Sequence, residues 1–242
     1  KRIGVPRRDQ RGWFGDGQSD ALYSRALETL ARDAEICELD ITFLNEAASL
    51  LYSGPWVAER AAALAPVLAA NPEAIDATVR AVVAPGLDIS AVELFNGIYR
   101  LAELQRGAEE MWDSVDMLAF PTSGTTYRVA ELQAAPVALN SNLGLYTNFV
   151  NLLDMAAIAV PAGARANGTG FGITLIGPAG SDSGLMDAAE SYLAKADLPA
   201  RPALDLEGRM ETVKLAVVGA HLKDMPLHWQ LTSRDARFVG AF

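Results

Sequence analysis

The sequence predicts an α/β fold, a sheet covered by helices, and three observations lead there. The first is a strand, helix, strand unit at the N-terminus. Arg2 to Pro6 reads as a short apolar strand, a glycine-rich turn region runs to Gly17, a helix spans about Asp20 to Asp33, and Glu35 to Ile41 returns as a strand. Leu22, Ala26, Leu27 and Leu30 recur on one face of that helix, and units of this kind belong to sheets with helices packed on them. The second observation is a long helical region. Leu44 to Ala70 is rich in Ala and Leu at helical spacing, broken at Gly54-Pro55, where proline lacks a donor and must restart the helix. A second tract covers Pro72 to Val83. A third starts at Ser90, an N-cap with Glu93 as its capping-box partner, and continues to about Trp112. The third observation is a change of pattern after Trp112. Short apolar runs at Met117 to Pro121, Ile158 to Pro161 and Gly172 to Ile176 read as buried strands, so the sheet resumes there. A last helix spans about Leu185 to Ala194.

Asp197 to Arg209, with Pro199 and Pro202 among charges, reads as a linker, and Thr212 to Val218 as the first strand of another unit. The expected organisation is therefore residues 1–196, a linker at 197–211, and the beginning of a separate domain at 212–242. About thirty residues after a linker are too few to close a core of their own.

Half of the 242 residues are hydrophobic, enough for a sizeable core, and the formal charge is −10. Phosphate affinity rests on clustered Lys and Arg, and the only lysines are Lys1, Lys195, Lys214 and Lys223, so a nucleic-acid partner is excluded. Acidity of this degree reads as a solvated surface. The absence of an apolar run of about eighteen residues and of a signal-peptide core predicts a soluble cytoplasmic protein with no membrane partner. The single cysteine, Cys37, reads as a buried structural thiol in a strand. A nucleophilic role would need a basic neighbour, and the only histidines, His221 and His228, are remote in sequence. Those two histidines lack Cys, Asp or Glu at ligand spacing, so neither a metal site nor a cofactor is expected. Gly168-Thr169-Gly170-Phe171-Gly172 resembles a phosphate loop in composition but precedes a strand instead of opening a helix, and reads as a turn.

Three segments carry a further likeness: Leu51-Tyr52-Ser53-Gly54-Pro55-Trp56-Val57-Ala58-Glu59-Arg60, Phe95-Asn96-Gly97-Ile98-Tyr99-Arg100-Leu101-Ala102, and Leu139 to Leu152 with its asparagines. Together they resemble the allophanate hydrolases of the amidase signature family, and Ala216 to Leu222 resembles the opening of the C-terminal domain of that subfamily. The resemblance implies a mixed sheet covered by helices, incomplete in this chain, and hydrolysis of allophanate to ammonia and carbon dioxide. It implies a nucleophilic serine, a bridging serine and a lysine base, expected upstream; no two serines are adjacent in these residues, so the chain alone is expected to be inactive. It further places a tyrosine and an arginine, eight residues apart, on the substrate carboxylate, matching Tyr52 and Arg60. A planar guanidinium fork with one directional phenol is chemically apt for selecting an acid over a neutral amide.

Tyr146, Thr147 and Asn148 are candidates for the pocket wall, and His221 for a second, decarboxylating step in the C-terminal domain. Asn140, Asn142, Asn148 and Asn151 otherwise serve backbone caps, and Asp154 a salt bridge. The expected partners are the small-molecule substrate, the missing amidase half and, because apolar helical faces would stay exposed, a second copy in a homo-oligomer. Two other readings stay open: an amidase-like binding or assembly module, and another amidase or an amidotransferase subunit.

Overall fold

The computed structural model describes residues 1–52, 54–198, 229–233 and 236–237. The chain divides into two compact units, Lys1–Pro199 and Ala200–Phe242. In the second unit the described element is one helical turn, α10 (Trp229–Thr232), with Trp229 exposed. The expected strand at Thr212 to Val218, most of the expected linker and His221 lie outside the described residues.

The first unit is built on a five-stranded sheet in the order β2-β1-β3-β5-β4, formed by β1 (Arg2–Pro6), β2 (Glu35–Leu39), β3 (Met117–Pro121), β4 (Met155–Ala164) and β5 (Gly170–Pro178). β1 pairs parallel with β2 and β3, whereas β5 runs antiparallel to β3 and β4, so the sheet is mixed, as the sequence resemblance implied. β3 is central and all five of its residues are buried. Its alternation distributes the core to two faces. Met117 and Ala119 point to one face, where α1 (Gly17–Leu30) and α9 (Asp182–Leu193) contribute Leu22, Tyr23, Leu185 and Tyr192. Leu118 and Phe120 point to the other, where they meet Ile41 and Leu44, Leu104 and Met111, and Phe149.

These residues belong to the helical layer that links β2 to β3 and to the segment before β4. The layer comprises α2 (Thr42–Leu50), α3 (Trp56–Ala70), α4 (Ala77–Val83) and α5 (Ala91–Trp112). α5 begins at the Ser90 capping box, with Glu93 returning a carboxylate oxygen to the Ser90 amide at 2.9 Å. The break at Gly54-Pro55 separates α2 from α3. Pro66 lies inside α3, where the carbonyl deprived of its donor belongs to exposed Ala62.

Several boundaries differ from the sequence-based expectation. α1 begins at Gly17, not Asp20, because the Asp16 carboxylate accepts from the amides of Gln18 and Ser19 and starts the helix earlier. The tract at Pro72 to Val83 is a 3-10 turn over Pro72–Ala74 followed by α4, since Asp76 caps a new start at Thr78 and Val79. β2 ends at Leu39, and β4 and β5 extend well beyond the expected runs because the hairpin pairs them from Met155↔Pro178 to Ala164↔Gly170. The turn between them is short, and Gly170 onward is strand. Leu139 to Asp154 holds most of α7 (Pro136–Leu143), which follows α6 (Val129–Ala134), and all of α8 (Phe149–Leu152). Asp154 adopts a left-handed φ of 51° after α8, a conformation aspartate tolerates better than most residues. Cys37 is half-buried, not buried, because β2 is an edge strand. Among the described residues no single helix is long and apolar enough to cross a membrane.

Candidate functional site

Tyr52 and Arg60 are brought together by the break between α2 and α3. Gly54 folds the chain back so tightly that a Cβ on it would lie 2.7 Å from the Leu50 backbone, and Pro55 then occupies the N-cap position of α3. Arg60 follows one helical turn after Trp56 and reaches back over the turn. Its guanidinium carbon lies 4.8 Å from the centroid of the Tyr52 ring, and Nη1 donates to the Leu51 carbonyl at 3.0 Å. The two contacts fix the plane of the guanidinium. Among the described residues neither Nε nor Nη2 of Arg60 has a hydrogen-bond partner, and neither is a sealed, unpaired atom. Tyr52 is 44% exposed, so the pair sits at the solvent-facing rim of the helical layer.

Tyr146 lies elsewhere. It is buried, with its ring edge-on to Phe120, and its hydroxyl accepts from the Gly12 amide at 2.7 Å and donates to the Gly12 carbonyl at 3.3 Å. Burial pushes this phenol up to about 12, against the opposing pull of the Gly12 hydrogen bond, so it stays protonated and able to donate at neutral pH. Asn148 is half-buried with its side chain against Gly144, and Thr147 is half-buried beside it. Asn142 donates to the Tyr127 hydroxyl at 2.8 Å, a side-chain partner and not the backbone cap expected for it. No described contact joins Tyr146 or Asn148 to the Tyr52–Arg60 pair.

A second assembly, absent from the sequence-based expectation, lies at the carboxyl ends of β1 and β3. The chain leaves β1 toward β2 on one side and returns to β3 on the other, and in open α/β sheets the crevice at such a reversal is where ligands bind. The loops that follow the two strands touch: a Cβ on Gly124 would fall 2.1 Å from the Gly12 carbonyl oxygen. Trp13 packs tilted against Tyr23 and Tyr146, at 5.6 and 6.3 Å between centroids. Arg165, only 4% exposed along its side chain, ties the same loop to the β4–β5 hairpin through Asp16 at 2.8 Å and Ser19 at 2.7 Å. Glycines in loops and an arginine beyond a strand carry no periodicity, so tertiary placement alone reveals this cluster. No group of acidic, histidine or cysteine side chains among the described residues could hold a metal ion.

Sheet order and a helical layer on each face define the class: a mixed α/β domain. The chain belongs to the amidase family, whose model matches residues 1–186, and residues 213–242 match the allophanate hydrolase C-terminal domain. It is 38% identical to the urea amidolyase of Saccharomyces cerevisiae over 94% of this chain and 14% of that protein. It is similar to a solved structure of Kluyveromyces lactis allophanate hydrolase, at 35% identity and a TM-score of 0.78, covering 99% of this chain and 42% of the other. The K. lactis urea amidolyase structure matches at 34% identity and a TM-score of 0.77, over 99% of this chain and 15% of that one. The chain thus spans less than half the length of each of these relatives.

Proposed function

We propose that this chain is the part of an allophanate hydrolase that recognises the substrate carboxylate, with Arg60 as the anchor and Tyr52 as its support. The observation that carries the reading is the stacked Arg60–Tyr52 pair, held by Leu51 at one nitrogen, with the Nε–Nη2 edge unpaired among the described residues. That edge is the side-on face by which a guanidinium takes a carboxylate through two parallel hydrogen bonds, and the Tyr52 hydroxyl adds a third directional contact. Allophanate is a urea bearing one carboxylate, so such a site selects it over neutral amides.

On this reading the serine nucleophile, its bridging serine and the lysine base come from sequence outside these 242 residues, which contain no adjacent serines. Hydrolysis of the amide bond releases ammonia and an N-carboxylated carbamate, which loses carbon dioxide in a second step with His221 as a participant. The separate matches at 1–186 and 213–242 support a division into an amidase segment at 1–196, a linker at 197–211 and the start of a C-terminal domain from 212. Tyr146 and Asn148 belong to the pocket wall, where Tyr146 fixes Gly12.

Replacing Arg60 by Ala in a complete enzyme containing this chain tests the assignment. A hydrogen bond to a charged group is worth about 1.5–3 kcal/mol, so kcat/KM for allophanate should fall roughly 10–100-fold. Values of KM and kcat within about twofold of the parent would overturn it.

A further inference from the structure

Two cavities of roughly 300 Å³ are shallow; in one the lining Lys195 and Asp33 pair with each other, and in the other the lining Arg11 is taken up by Glu38 outside it. The Val92, Phe95 and Tyr99 stripe of α5 is exposed among the described residues, and nothing observed identifies what would cover it. Beneath the Tyr52–Arg60 turn, by contrast, α5 closes against Pro55 at Gly97.

We propose that Gly97, on α5, is a positioning residue for the Arg60–Tyr52 pair; this rests on the carboxylate-recognition reading. Gly97 is buried beneath buried Pro55, and a Cβ on it would lie 2.2 Å from Pro55 Cγ and 2.8 Å from Cδ. A pyrrolidine ring cannot swing aside as a flexible side chain can, so any side chain at 97 must displace the turn itself. Helix formation offers no reason for glycine here, because alanine is the better helix former. The same helix supplies the contrast: a Cβ on Gly107 would meet only Phe43, at 3.8 Å.

The post on which Pro55 sits is rigid. α5 is anchored in the core by Leu104, Ala108 and Met111, and Arg100 grips Glu46 of α2 at 2.6 Å. The next turn of the chain is wedged from another side, since a Cβ on Gly86 would lie 2.4 Å from the Val57 carbonyl oxygen and 2.9 Å from Ala61 Cβ. The start of α3, with Arg60 on it, is therefore located by close approach to two bare backbone positions. An added methyl at 97 has to push the turn by about 1 Å, a misplacement of the size that costs on the order of a hundredfold when it reaches a substrate-positioning group.

The test uses a complete enzyme containing this chain, measuring kcat and KM for allophanate in Gly97→Ala, Gly107→Ala, Pro55→Ala and the double variant Gly97→Ala/Pro55→Ala. Gly97→Ala is expected to raise KM at least tenfold (~10-fold or more) with kcat within about threefold. Gly107→Ala should match the parent, and the double variant should return KM to that of Pro55→Ala alone, because the ring that collides is gone. A Gly97→Ala KM within about twofold of the parent overturns the proposal, as does a loss carried by kcat and not relieved by removing the ring. If Gly97→Ala does not fold, the double variant decides: a KM raised about tenfold over Pro55→Ala alone overturns the seat. Arg60→Ala separates the two ideas. An unchanged KM there removes the recognition reading itself, whereas a raised KM with a silent Gly97→Ala removes only the positioning role.

Discussion

At Arg165 a nearly buried guanidinium is shared among Asp16, Ser19 and the Gly170 carbonyl, with Phe171 beneath it at 5.5 Å. Asp16 keeps its Gln18 and Ser19 donors when the guanidinium is removed, so Arg165→Met should cost about 1.5–3 kcal/mol, the worth of hydrogen bonds to a charged group. Urea denaturation at neutral pH measures it, and a loss below about 1 kcal/mol would contradict the account. Burial alone would raise the Asp16 carboxyl, but the Ser19 hydroxyl and amide and the Arg165 side chain outweigh it and hold it below its ordinary value. Its contribution is therefore present above the ordinary carboxylate range and lost as pH falls through the lowered folded value. The gap between parent and Arg165→Met should narrow in acid and stay constant near neutrality. None of this cluster was legible in sequence, because Asp16 and Arg165 are 149 residues apart. Tyr52 and Arg60 were legible as a pair through family resemblance, yet the stacking of one on the other was not, since the Gly54-Pro55 break left their relative angle open.

Among the elements, α5 shows where local chemistry suffices. Ser90 and Glu93 satisfy each other across three residues, and this reciprocal cap is written in the sequence. Ser90→Ala should lower stability by about 1 kcal/mol, read as a shift in the urea midpoint with an unchanged slope. Since the first turn of α5 lies ahead of Gly97, that variant should leave the KM for allophanate unchanged. α7 and α8 show the opposite case. Their asparagines favour caps and turns; α7 buries none of its side chains, whereas α8 forms because Phe149 and Val150 find buried places in the core between the sheet and the helical layer. β4 and β5 likewise lengthen beyond their apolar runs, because pairing to a neighbouring strand holds residues of weak strand preference such as Ala156, Ala157 and Gly177.

At the scale of the molecule, the sheet with its two helical faces is complete enough to bury both sides of β3. The proposed function nevertheless draws its nucleophile from elsewhere, so the 242-residue chain alone should release no ammonia from allophanate, in an assay where a complete relative does. Ammonia above the protein-free blank, abolished by Arg60→Ala, would show that catalysis resides in these residues after all. The sequence by itself determined the α/β class, the break at Gly54-Pro55, the capping of α5 and the family likeness, because each rests on short-range periodicity, backbone chemistry or contiguous motifs. Only the tertiary structure decided that β5 runs antiparallel to β3, that Gly12 meets Gly124 beneath Tyr146, and that Pro55 rests on Gly97. Those contacts join residues dozens of positions apart, and their geometry follows from how the helices and strands pack, which no local pattern encodes.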